Sequence, residues 1–133
     1  MTGERYIAIN GELDIVAARV EGRNLAKEMG FGVIDQARIA TVISELTRNI
    51  VLYADRGQVY LNQVRSMGRI GLEVVCEDQG PGIPDVDRIV NRQQPVGQEM
   101  GMGLSGVRRL VDEFEIQTDV GTGTKVTVRK WLP

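Results

Sequence analysis

Arg69-Ile70-Gly71-Leu72-Glu73-Val74-Val75-Cys76-Glu77-Asp78-Gln79-Gly80-Pro81-Gly82 carries two signals in one stretch. Ile70, Leu72, Val74 and Cys76 alternate with Gly71, Glu73, Val75 and Glu77, the period of a strand with one face buried and the other partly wet. That strand runs directly into an acidic residue and a glycine-proline-glycine loop. An acid at the mouth of a strand accepts hydrogen bonds from an adenine-type amine, while glycines let backbone N–H groups approach a ligand without Cβ obstruction. Downstream lies a second glycine cluster (Gly101, Gly103, Gly106), and upstream a helical segment carries Glu45 and Asn49. Taken singly, each feature reads as an ordinary turn or a solvated helix residue. Their order and spacing together read as a nucleotide site.

Working outward, residues 58–64 form a neighbouring strand, separated from residues 69–77 by Ser66-Met67-Gly68, so the sheet is expected to be antiparallel there. Residues 5–9 make a first strand closed by the turn pair Asn10-Gly11. Residues 12–29 read as a helix whose Leu13, Val16, Ala17 and Val20 recur at helical intervals with charges on the other face, stopped by Gly30 and Gly32. Asp35 is the expected N-cap of a second helix, in which Ile39, Ile43, Leu46, Ile50 and Tyr53 form a core-facing stripe. Glu45 and Asn49 each precede a stripe position, and their i, i+4 relation points both the same way.

Beyond the glycine loop, Asp85 caps a short helix through Val90, and residues 91–102 are polar and aperiodic, the pattern of a mobile lid. Residues 103–114 resume helical spacing through Leu104, Val107, Leu110, Val111 and Phe114, so the second glycine cluster feeds a helix N-terminus. Residues 115–120 and 124–131 form a closing hairpin around Gly121-Thr122-Gly123. The order β-α-α-β-β-short α-lid-α-β-β predicts an α+β fold: a two-layer sandwich with helices on one face of a mixed, mostly antiparallel sheet.

At 133 residues the chain is expected to form a single domain, residues 1–133. Its 16 basic and 18 acidic residues leave a net charge of −2, no field for a nucleic-acid partner. Cys76, the only cysteine, sits within an apolar strand pattern as a buried thiol. No apolar run approaches the roughly 20 residues that cross a bilayer, which argues against a membrane association and for a cytoplasmic protein. The chain has no histidine, so acid–base chemistry falls to carboxylates, lysine or tyrosine. The P-loop is absent, because Gly121-Thr122-Gly123-Thr124-Lys125 has the wrong spacing and opens a strand. Gly101-Met102-Gly103-Leu104-Ser105-Gly106 approximates a dinucleotide fingerprint but follows a loop instead of a first strand.

Glu45-Leu46-Thr47-Arg48-Asn49, Asp78-Gln79-Gly80-Pro81-Gly82, Gly101-Met102-Gly103-Leu104 and Gly121-Thr122-Gly123-Thr124 resemble, in order, the four boxes of the gyrase/chaperone/histidine-kinase/MutL ATPase superfamily. That resemblance implies the Bergerat ATP-binding fold, with ATP and Mg²⁺ as ligands. With Asp14-Ile15-Val16-Ala17-Ala18-Arg19, Asp35-Gln36-Ala37-Arg38-Ile39 and Lys130-Trp131-Leu132, the chain is similar to the serine/threonine kinases of bacterial stressosomes. By that likeness Asn49 would coordinate Mg²⁺, Asp78 would bond the adenine amine, and Gly80 and Gly82 would shape the turn beneath the base. Thr124 would support the adenine through a water. Gly101, Gly103 and Leu104, with the N–H groups of the helix they open, would hold the phosphates, although the Leu104 side chain itself reads as packing. Glu45 would be the general base, and Arg48 would contact phosphate or partner or else lie on a solvated face. A carboxylate one turn from a metal ligand reaches an attacking hydroxyl without joining the metal, which supports the Glu45 role on physical grounds.

The implied substrates are STAS-domain stressosome proteins of the RsbS and RsbR type, and the implied second partner is a PP2C-type phosphatase of the RsbU type. Two alternatives stand beside this kinase reading: an ATP-gated binding module, and an anti-sigma factor. The anti-sigma kinases carry histidine four residues after the asparagine, where this chain has Tyr53.

Overall fold

Alternation along the strands and a helical period between them set the architecture. In this computed structural model, residues 4–81 and 103–133 are described. The elements run β1 (Arg5–Ile9), α1 (Glu12–Met29), α2 (Val33–Tyr53), β2 (Gly57–Ser66), β3 (Arg69–Asp78), α3 (Gly103–Leu110), β4 (Glu113–Asp119) and β5 (Gly123–Trp131). Five strands form one sheet in the order β1-β2-β3-β5-β4, and every described pairing is antiparallel. The short helix expected at residues 85–90 and the lid expected at 91–102 lie outside the described residues.

Register separates the two faces of the sheet. Ile7, Val59, Cys76, Val126 and Ile116 align across the strands, as do Leu61, Val74, Val128 and Phe114; both rows pack beneath the helices with Ile39, Val42, Ile43, Leu46 and Ile50 of α2. The opposite row of Tyr6, Tyr60, Val75, Thr127 and Glu115 points away, with the ring centres of Tyr6 and Tyr60 5.3 Å apart and their planes tilted by 54°. The fold is thus the two-layer arrangement expected from the order of elements.

Local chemistry explains the helix ends. Asp14 closes α1 at its start, its carboxylate accepting the Asn10 N–H at 2.8 Å and the Gly11 N–H at 3.1 Å. Gly30, at φ 102°, ends it. Helix α2 begins three residues earlier than its acidic signal suggests: Gly32 is the cap, and Asp35 occupies the first turn. There its carboxylate pairs with Arg38 at 3.0 Å and Lys130 at 3.7 Å instead of capping the backbone.

Three further expectations are corrected by packing. On α1 the apolar set Leu13, Val16, Ala17 and Val20 faces solvent, while Ile15, Ala18, Gly22, Leu25 and Ala26 are buried. Two overlapping helical stripes exist in that sequence, and the one with the small residues wins because it lets α1 approach α2: the Ile43 side chain occupies the space a Cβ on Gly22 would fill. Tyr53, the last member of the α2 stripe and the last residue of the helix, is 55% exposed. Finally, α3 stops at Leu110, and Phe114 belongs to β4. Asp112 terminates the helix by donating its N–H to the Arg129 carbonyl at 3.0 Å and accepting the Trp131 N–H at 2.7 Å, contacts with a strand distant in sequence.

Candidate functional site

At one end of the sheet, Ile9, Gly57, Asp78, Thr124 and Thr118 stand side by side across all five strands. By alternation from the buried Cys76, this row lies on the face that carries the helices. Asp78 ends β3 half-buried, and its Oδ1 accepts the Gly80 N–H at 2.9 Å, which folds the loop back over the strand end. No cation pairs with this carboxylate among the described residues. Thr124 sits opposite Asp78 in register, with its hydroxyl 2.9 Å from that of Thr118.

Close backbone contacts bring the loop and the closing hairpin together. The Gly121 N–H donates to the Pro81 carbonyl at 2.7 Å. Gly123, at φ 140°, lies so near β3 that a Cβ there would fall against the Asp78 carbonyl oxygen. Gly80 presses on the end of α2, where an added Cβ would stand 2.6 Å from the Ala54 Cβ. The close approach of loop, hairpin and α2 end therefore depends on missing side chains at Gly80 and Gly123.

Helix α2 brings the second group of residues. Glu45 is only 8% exposed, an uncommon position for a carboxylate, and its Oε1 lies 3.1 Å from the Arg48 Nη1. Arg48 thus pairs with Glu45 along the same helix. Asn49 is half-buried one turn beyond Glu45. Gly103 opens α3 at φ 69°, and Leu104, 5% exposed, packs in the core, so only its backbone is available to a ligand. Gly82 and Gly101 lie outside the described residues.

The sequence reading missed Gly57, Thr118 and Ala54. Gly57 lets β3 and α2 pack closely beside Asp78, since a Cβ there would fall against the Glu77 carbonyl oxygen and stand 3.0 Å from the Ile50 Cγ2. A threonine on each side of the Gly121-Thr122-Gly123 turn was the available signal for Thr118, because hairpin register pairs such residues. Next to the site, burial first and the charge of Asp78 second push the Cys76 thiol far up, so it stays neutral.

Asp78, Asn49 and the glycine-lined walls suit an adenine nucleotide. Among the described residues no three carboxylate, thiol or imidazole groups gather that could hold a metal ion. A Mg²⁺ here would thus draw most of its ligands from phosphate and water, as this cation commonly does.

Comparison with known proteins follows this geometry. Residues 34–133 match the family described as histidine kinase-, DNA gyrase B- and HSP90-like ATPase. The chain is 50% identical over 132 residues to the serine/threonine-protein kinase RsbT of Bacillus subtilis (strain 168), covering 99% of each. It is 29% identical over 105 residues to the anti-sigma F factor of Caldanaerobacter subterraneus subsp. tengcongensis, covering 72% of this chain and 70% of that one. Among solved structures, the RsbU and RsbW domains of Rv1364c from Mycobacterium tuberculosis superpose with a TM-score of 0.66 at 21% identity, covering 99% of this chain and 34% of that chain.

Proposed function

Since the chain belongs to the histidine kinase-, DNA gyrase B- and HSP90-like ATPases, and within them to the serine/threonine-protein kinases of the RsbT kind, we propose that it phosphorylates STAS-domain proteins of the RsbS and RsbR type. On release it would activate a PP2C-type phosphatase of the RsbU type. The cytoplasm, where ATP is abundant, is the compartment this activity requires. Among the described residues no helix is long and apolar enough to cross a membrane.

In this reading Asp78 accepts the adenine amine with the carboxylate oxygen that Gly80 leaves available, and Thr124, steadied by Thr118, supports the base from the neighbouring strand. Gly80 and Gly82 keep the turn beneath the base free of side chains. Gly101, Gly103 and the Leu104 N–H hold the phosphates at the start of α3, where the helix dipole adds roughly 0.3–1 kcal/mol. Asn49 would hold Mg²⁺, which when bound neutralises phosphate charge. Glu45 takes the proton of the substrate serine or threonine hydroxyl as its oxygen bonds to the γ-phosphorus and the bond to the leaving ADP oxygen breaks. Arg48 orients that carboxylate through their 3.1 Å contact.

The observation that supports this reading most directly is the pairing of Asp78 with Thr124 at the sheet end, with the Gly121-Gly123 turn closed against Pro81. Incubation with Mg·ATP and a purified STAS-domain protein, followed by mass spectrometry, should reveal one phosphorylated serine or threonine on the STAS protein. Nucleotide binding without transfer would leave the ATP-gated binding module as the better account.

A further inference from the structure

Three neighbouring strands set the direction of the hydrogen bonds beside Asp78. Thr124 stands in the sheet-end row between Asp78 of β3 and Thr118 of β4, and both threonines are half-buried. The Thr118 Oγ1 lies 3.2 Å from the Gly123 carbonyl oxygen and 2.9 Å from the Thr124 Oγ1. A carbonyl oxygen only accepts, and a hydroxyl carries a single proton. With the Thr118 proton directed to Gly123, the 2.9 Å contact between the hydroxyls takes the proton of Thr124. The Thr124 oxygen then turns lone pairs, and no proton, toward the space beside Asp78. Asp78 presents the same polarity: Oδ1 accepts the Gly80 N–H at 2.9 Å, and Oδ2 is a second acceptor.

We propose that Thr118 is a positioning residue for nucleotide choice: by holding the Thr124 proton it fixes Thr124 as an acceptor, so that the site takes a 6-aminopurine nucleotide and disfavours a 6-oxopurine. The proposal rests on the adenine reading of Asp78 and deepens it. A 6-aminopurine brings an amine whose protons suit an edge made of acceptors, whether they reach Thr124 directly or through a water. A 6-oxopurine brings an acceptor, O6, to the same place, and neither Asp78 nor Thr124 supplies it with a proton. An acceptor left unpaired on binding lowers affinity, and a site committed to one polarity rejects the other for that reason. A threonine hydroxyl standing alone has no such commitment, because it rotates to donate or to accept. Discrimination at Thr124 therefore comes from its neighbour on β4, a residue placed one strand further from the ligand than Thr124 itself.

The test is calorimetry of the whole chain with Mg·ATP and with Mg·ITP, whose base is a 6-oxopurine, for wild type, Thr118→Val and Thr118→Ser. Valine keeps the branched shape that suits β4 and removes the hydroxyl, whereas serine keeps the hydroxyl. Wild type should bind ATP more tightly than ITP. Thr118→Val should shrink the ratio of the ITP to the ATP dissociation constant by about five-fold, the effect of one neutral hydrogen bond, because the released Thr124 proton can turn to O6. Thr118→Ser should keep the wild-type ratio. Both nucleotides bind the folded chain, so any partial unfolding of a variant cancels from the ratio. If Thr118→Val weakens both nucleotides equally, Thr118 only ties the hairpin and the proposal is overturned. A ratio that grows in Thr118→Val, or that shrinks as much in Thr118→Ser, overturns it as well. A wild type that holds ITP as tightly as ATP removes the adenine reading of Asp78 and this proposal with it, an outcome distinct from failure at Thr118 alone.

Discussion

At the scale of single residues, the proposed roles divide binding from chemistry. Asp78→Asn exchanges a carboxylate acceptor for an amide. Loss of a charge-assisted hydrogen bond costs about 1.5–3 kcal/mol, so the dissociation constant for ATP should rise roughly ten- to hundred-fold, as calorimetry would record. Glu45→Gln should do the reverse, leaving ATP affinity nearly intact while phosphotransfer to a STAS-domain protein falls about 10²–10⁴-fold. Transfer at wild-type rates would remove Glu45 from the role of base. The two residues to which these roles are proposed stand on different elements: Asp78 sits in the sheet-end row, whereas Glu45 lies buried along α2 in contact with Arg48.

At the scale of elements, the closing hairpin is the part of the site most sensitive to backbone change. Gly123 combines a φ of 140° with contact against the Asp78 backbone, so any Cβ meets both a strained conformation and a collision. Gly123→Ala should lower stability by about 1–3 kcal/mol, visible as a lower urea midpoint, and should weaken ATP binding by moving β5 away from β3. Gly121→Ala, whose added Cβ would meet open space, should leave ATP binding closer to wild type, although its own φ of 89° imposes local strain.

At the scale of the whole molecule, the far end of the sheet is tied by Glu113, Arg129, Glu73 and Trp131. Arg129 bridges Glu73 at 2.8 Å and Glu113 at 3.1 Å, Glu113 accepts the Trp131 indole N–H at 2.7 Å, and the Arg69 guanidinium lies 4.4 Å from the Trp131 ring centre. The Trp131 hydrogen bond first, then that of Arg129, holds the Glu113 carboxyl below its ordinary range. A depressed carboxyl stabilises the fold above its unfolded-state range and loses that contribution as pH falls through the folded value. Wild type should therefore exceed Glu113→Gln in urea midpoint at neutral pH, and the gap should close as the pH drops below the ordinary carboxylate range.

The sequence alone determined the order of elements, the antiparallel pairing of β2 with β3, and the segments that form the site, because alternation, helical period and glycine placement are local properties of the chain. It also located Glu45, Asn49, Asp78 and Thr124 within those segments. Only the tertiary structure decided which of two apolar stripes on α1 enters the core, where α3 ends, that Arg48 pairs with Glu45, and that Gly57 and Thr118 flank the Asp78–Thr124 pair. Those outcomes rest on contacts between residues distant in the chain, such as Gly22 with Ile43 and Asp112 with Trp131. Local periodicity offers two faces of a helix as equals; close packing against a particular neighbour selects one and leaves the other to solvent.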